Sequence, residues 1–204
     1  MVKVTRGKAK QTASSLLRTQ VRETVQAAIL DAAEERIALQ GLHATSLVEI
    51  AKAAGVAVGT LYNYFEDRDA MVRALFETRR ATLRPKVLAA IASGADLAFE
   101  PRLRQLMREL LGAFESHHRY IQVVFQAEHL KPTGAHQDLI TAIEEIVAGG
   151  VREGVVAKAN AEMLSIVLGS AIRGVLLRRS QRGGSFVDDA EPLCSLVLDG
   201  ARRR

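Results

Sequence analysis

Residues 45–65 read Thr45-Ser46-Leu47-Val48-Glu49-Ile50-Ala51-Lys52-Ala53-Ala54-Gly55-Val56-Ala57-Val58-Gly59-Thr60-Leu61-Tyr62-Asn63-Tyr64-Phe65. Apolar residues return at helical spacing on both sides of a short break. The stretch therefore predicts two helices, 46–54 and 58–64, across the turn Gly55-Val56-Ala57. Ile50, Ala51, Val56 and Leu61 form a compact apolar set, and the small Ala51 lets the helices cross closely. Gly55 supplies the positive φ that a sharp turn demands. This is helix-turn-helix geometry, in which the second helix lies in a DNA major groove.

The second helix has the chemistry for that task. Only Leu61 and Phe65 are clearly core-directed. Val58 suits a thymine methyl, Gly59 permits close backbone approach, and Thr60 and Asn63 offer hydrogen bonds to base edges. The Tyr62 and Tyr64 hydroxyls suit phosphates. Aromatic residues are scarce, with 6 Phe, 3 Tyr and no Trp, yet three of those nine fall within 62–65.

Outward from this motif the chain stays helical. A first helix is predicted from Thr19 to Gln40, with the stripe Val25, Ile29, Ala33 and Ile37, and Gly41 stopping it. Another runs from Asp67 to Ala81, with Asp67 and Asp69 at the positive end of its dipole. Pro85, Gly94 and Pro101 punctuate the chain, and helical patterns follow at 86–92, 102–118, 120–130, 136–153, 161–180 and 188–201. Pro132 with Gly134, and Arg182-Gly183-Gly184-Ser185, read as loops. The expected fold is all-α: a basic flexible arm at 1–20, a three-helix DNA-binding domain at 21–66, and a helical domain at 67–204.

Charge is distributed unevenly. The 204 residues carry a net charge of +5. Residues 1–22 hold Lys3, Arg6, Lys8, Lys10, Arg18 and Arg22 and no acid, which leaves the remainder at −1. A cationic arm on a nearly neutral body implies a polyanion partner, and Lys3, Arg6, Lys8 and Lys10 are candidate phosphate contacts. Hydrophobic residues at 48% and charged residues at 25% describe a soluble globular chain. Cys194, the one cysteine, forms no internal disulfide and lies in an apolar run. No uninterrupted apolar run reaches about 18 residues, and the N-terminus lacks an apolar signal core, so no membrane partner is expected and the location reads as cytoplasmic.

The stretch from Val25 to Met71 resembles the tetracycline-repressor (TetR) family. The resemblance rests on Ile29 and Ala33, Gly41-Leu42, Thr45, Ile50-Ala51, Ala54-Gly55-Val56, and above all Gly59-Thr60-Leu61-Tyr62-Asn63-Tyr64-Phe65. It implies a homodimeric, sequence-specific DNA-binding transcription regulator, a repressor in most members. A small-molecule effector bound by the C-terminal domain releases it from a near-palindromic double-stranded operator. It also adds Thr45 and Arg68 to the DNA-binding set. Three positions depart from the family pattern: Ala57 replaces the usual capping Ser, Val58 a polar or basic residue, and Arg68 a Lys that contacts phosphate.

In the body, residues 161–180 are apolar on most sides and carry Gly169, Ser170 and Gly174, so this helix needs cover on most sides. The last helix offers Leu193, Leu196, Val197 and Leu198. With the resemblance, Ser170, Gly174, Leu177, Leu193 and Val197 become the expected dimer interface. The expected effector pocket takes Met107, Leu110, Phe114, Phe125, Ile143 and Val147, with His117, Gln126, Glu128 and Arg173 as polar groups in reach. No cofactor is expected beyond that unidentified effector. No metal is expected from His117, His118, His129 and His136, because adjacent histidines point to different helix faces. Two other readings remain: a sequence-tolerant architectural DNA binder, which holds any duplex with similar affinity, and a helical enzyme. An enzyme requires a convergent acid, base or metal set, and no such pattern is visible in the sequence.

Overall fold

A computed structural model describes the backbone of residues 5–130 and 137–201, and the side chains of 15–127, 129–130 and 137–200. Among these residues there are nine α-helices, three 3₁₀ turns and no β-strand. The chain divides into two compact units, Met1–Leu75 and Phe76–Arg204.

The first unit holds α1 (Thr5–Gln40), α2 (Leu47–Ala53), α3 (Val58–Tyr62) and the start of α4 (Arg68–Ala92). Its core is built from Ile29, Ala33 and Ile37 on α1, Ile50 and Ala51 on α2, and Leu61 on α3, none more than 1% exposed. Helix α1 begins at Thr5, where the sequence predicted a flexible arm to residue 20. Lys, Arg, Gln, Leu and Ala dominate that stretch and all favour a helix. Among the described side chains near its start, Leu16, Leu17 and Val21 are 62–65% exposed. Periodicity reports burial, and these apolar side chains are not buried within the chain.

Helix α4 corrects a second expectation. It runs unbroken through Pro85, where two separate helices were predicted. Proline removes one backbone hydrogen bond and crowds the preceding turn. Leu83 and Ala90, on either side of it, are nevertheless 7% and 3% exposed, so packing outweighs the local break. The division between the units falls inside this helix, after Leu75, rather than after Glu66.

The second unit adds α5 (Phe99–Glu115), α6 (His118–Gln126), α7 (Gln137–Arg152), α8 (Ala161–Arg182) and α9 (Ala190–Ala201). Helix α5 packs on α7 and on α9, while α8 packs on α6 and α7. Glu153, just past α7, accepts the Phe99 amide at 3.0–3.1 Å and so caps α5, which starts three residues before the predicted 102. Pro101 is accommodated in that first turn, where no intrahelical donor is required. Gly150 lets α7 meet Phe99 closely, because a Cβ there would lie 2.7 Å from the Phe99 ring.

Candidate nucleic-acid interface and effector cavity

The reading head is built from local chemistry. Ser46 caps α2 by accepting the Glu49 amide at 3.2 Å, and the Glu49 carboxylate accepts the Ser46 amide at 2.9 Å. The Ser46 amide, and with it the Ser46 hydroxyl at 2.8 Å, donates to the Glu49 carboxylate and holds it below its ordinary range. Gly55 turns the chain at φ +71°, and the Val56 amide donates to Ala51 O at 3.0 Å. Helix α3 starts at Ala57, which is extended but has no side chain to cap it. The amides of Thr60 and Leu61 bond to Ala57 O instead, at 2.9 and 3.2 Å.

Helix α3 presents the predicted face. Gly59 and Asn63 are exposed, Tyr62 is 53% exposed, and Val58, Thr60 and Tyr64 are half-buried. Nothing lies within 4 Å of a Cβ built on Gly59, so backbone can approach a partner there. A surface concavity of about 570 Å³ joins Thr60, Asn63 and Tyr64 to Leu17, Arg18, Val21 and Arg22 of α1. The Arg22 guanidinium lies 5.7 Å from the centre of the Tyr64 ring, a cation–π contact. In the sequence Arg18 and Arg22 register only as charge, whereas the fold makes them neighbours of α3. Their i, i+4 spacing was the available signal, once the helix is carried back beyond Thr19.

Two predicted contacts turn inward. Thr45 is 1% exposed and its hydroxyl donates to Gly41 O at 2.7 Å, so it closes the turn after α1. Arg68 is half-buried and its guanidinium donates to Leu42 O at 3.2 Å, tying α4 to the same turn. Both are supports for the head. Lys3 and the side chains of Arg6, Lys8 and Lys10 lie outside the described residues.

The second unit contains a cavity of about 830 Å³ between α4, α5, α6, α7 and α8. Phe114, Phe125, Ile143 and Val147 line it, together with Phe76, Leu83, Tyr120, Val124 and Leu176. Met107 and Leu110 do not line it; both are fully buried core residues. Helix α5 is covered by α7 on one side and α9 on another, so its apolar pattern marks more than one buried face. Of the predicted polar groups, Arg173 lines the cavity and stacks on Phe125 at 4.8 Å, while His117 and Gln126 stand outside it. The side chain of Glu128 lies outside the described residues.

Helix α8 also carries an uncovered apolar face. Met163, Ile166 and Val167 are 61%, 54% and 43% exposed, and Leu196 of α9 is 75% exposed. Ser170 and Gly174 are exposed on α8, and Leu177 and Leu193 are half-buried. Val197, predicted at the interface, is only 8% exposed and turns into its own chain, leaving Leu196 outward in its place. Cys194 is buried, and burial pushes its thiol up to about 11, away from reactive thiolate chemistry.

A helix-turn-helix head joined to a helical body defines the class of DNA-binding transcription regulators. Residues 29–75 match the family model described as bacterial regulatory proteins, tetR family. The chain is 30% identical over 186 residues to the HTH-type transcriptional repressor KstR2 of Rhodococcus jostii, covering 84% of this chain and 88% of that one. Its fold is similar to that of the fatty acid degradation regulator FadR from Bacillus halodurans, with TM-score 0.69, 24% identity, and 88% and 97% of the two chains covered. It is also similar to FadR from Bacillus subtilis in complex with stearoyl-CoA, with TM-score 0.67, 21% identity, and 86% and 98% covered. The chain belongs to the tetR family and is a transcriptional regulator.

Proposed function

We propose that this protein is a cytoplasmic homodimeric repressor that leaves a near-palindromic operator when a small molecule fills the cavity of its second unit. The observation that carries the reading is that cavity: about 830 Å³, walled by apolar side chains, and of the size that takes a drug-sized ligand. Its role is binding rather than catalysis. The exposed apolar side chains Met163, Ile166 and Val167 on α8 and Leu196 on α9 support the dimer, since exposed apolar surface of this kind marks a partner surface. Two heads then reach successive major grooves about 34–36 Å apart.

In each head Val58, Gly59, Thr60 and Asn63 face base edges, while Tyr62 and Tyr64 hold phosphates with help from Arg18, Arg22 and the basic residues before them. The test begins with the genomic fragments that the purified protein retains. Stearoyl-CoA, the ligand in one structural neighbour, is the first compound to try for their release. Asn63→Ala is expected to relax sequence preference at one operator position by about 1–3 kcal/mol, whereas Tyr64→Phe weakens all sequences alike. Unchanged operator affinity in both variants, measured by direct titration, refutes the placement of α3 in the groove.

A further inference from the structure

Helix α4 sends two arginines to the wall of the cavity, Arg80 and Arg84, one helical turn apart on the same face. Their surroundings differ. Arg84 Nε donates to Asp138 Oδ2 at 2.9 Å, a satisfied ion pair. Arg80 is half-buried, and no described residue gives it a hydrogen bond, an ion pair or a ring contact. The other charges on the wall do not serve it. Arg173 stacks on Phe125, and the carboxylates of Glu144 and Glu162 are exposed and form no ion pair with Arg80.

A guanidinium held against an apolar wall has lost hydration without gaining a counter-charge. That arrangement is costly unless an anion completes it. Arginine also presents a planar fork of donors that matches carboxylate and phosphate oxygens. The rest of the wall near it, Phe76, Leu83 and Val87 on the same helix, suits an apolar tail.

We propose that Arg80 is the anion-binding residue of this cavity, and that the effector is an amphiphile with a long apolar moiety and an anionic head, carboxylate or phosphate. The proposal rests on the reading of the cavity as the effector site. A free fatty acid and an acyl thioester of a nucleotide cofactor share this chemistry, the first through its carboxylate and the second through its phosphates.

The experiment titrates the purified full chain with dodecanoate, lauroyl-CoA and 1-dodecanol by calorimetry. At least one of the two anions binds about ten- to a hundredfold more tightly than the alcohol, the range of a charge-assisted bond. Arg80→Gln reduces that anion to the alcohol's affinity and leaves the alcohol unchanged, which also shows that the variant is folded. Arg80→Lys keeps most of the preference. Preference for dodecanoate alone, for lauroyl-CoA alone, or for both supports the proposal and identifies the source of the anion.

Equal binding of all three probes by the unmodified protein overturns it, as does an anion preference that survives Arg80→Gln. Absence of binding by every probe at about 1 mM overturns it as well. A blocked variant, Gly169→Phe, separates this failure from failure of the cavity reading. Nothing lies within 4 Å of a Cβ at Gly169, which lines the cavity, so the new ring enters free space. If the blocked variant excludes the probes while Arg80→Gln changes nothing, only the anion assignment falls. If it binds them as the unmodified protein does, the cavity reading fails and the proposal with it.

Discussion

The two units spend their apolar residues differently. In the first, Ile29, Ala33, Ile37, Ile50, Ala51 and Leu61 are at most 1% exposed, and α3 turns glycine, amide and hydroxyl groups outward. In the second, packing stops short twice: around the cavity, and along the faces of α8 and α9 where Met163 and Leu196 are 61% and 75% exposed. Complete packing fixes a geometry, which a reader of base edges needs. Incomplete packing leaves surface for something else to cover, which in the proposed function is a ligand in the cavity and a second copy on the open face.

The largest effect that tests this contrast is on the open face. Nothing lies within 4 Å of a Cβ at Gly174, so an arginine there does not clash within its own chain. Gly174→Arg should therefore leave the protomer folded and abolish the dimer. Operator affinity should then fall by about 10²–10⁴, the factor lost when two linked heads become single ones. A dimeric, fully active variant in sedimentation and operator titration breaks the assignment of this face.

The next effect is in the head. Leu61 is fully buried in the core of the head, so Leu61→Ala should cost about 2–5 kcal/mol in chemical denaturation. Operator binding should fail with it. A loss below about 1 kcal/mol means that the head relaxes around cavities as readily as the body tolerates one.

The smallest effects are at the caps. Ser46→Ala should destabilise by about 0.5–2 kcal/mol, and Ala57→Ser should stabilise by a similar amount, by giving α3 the side-chain acceptor it lacks. The Glu49 carboxyl, depressed in the fold by its bonds to Ser46, gives the first effect a pH signature. A group whose pKa is lowered by folding stabilises above its ordinary pKa of 4.5, and that contribution is lost as pH falls through the folded value. The difference between Ser46→Ala and the unmodified protein should shrink on acidification. A difference that is flat with pH removes the Ser46 hydroxyl, though not the Ser46 amide, from the partners of the Glu49 carboxylate.

The head was legible because its determinants are contiguous. A turn glycine and two short apolar sets within residues 45–65 dictate a helix-turn-helix without reference to the rest of the chain, and the fold adds the Ser46–Glu49 capping box. Even there, only the fold revealed that the Thr45 hydroxyl and the Arg68 guanidinium bond to backbone carbonyls, since residue type does not say where a side chain points. The body was legible as helices and far less as a site. Phe114 and Val147 line the cavity, whereas Met107 and Leu110, with the same apolar chemistry, belong to the core.

The sequence by itself determined the helical class, the two-part organisation and the reading motif, because capping, turn chemistry and periodicity act over a few residues. Tertiary structure alone decided how far α1 and α4 extend, which face of α5 meets the cavity, that Val197 turns inward while Leu196 stays out, and that Arg80 has no partner among the described residues. Periodicity tells which residues seek cover but not what covers them. A cavity is defined by neighbours that are absent, and here its walls run from Phe76 to Leu176, segments that meet only when the chain has folded.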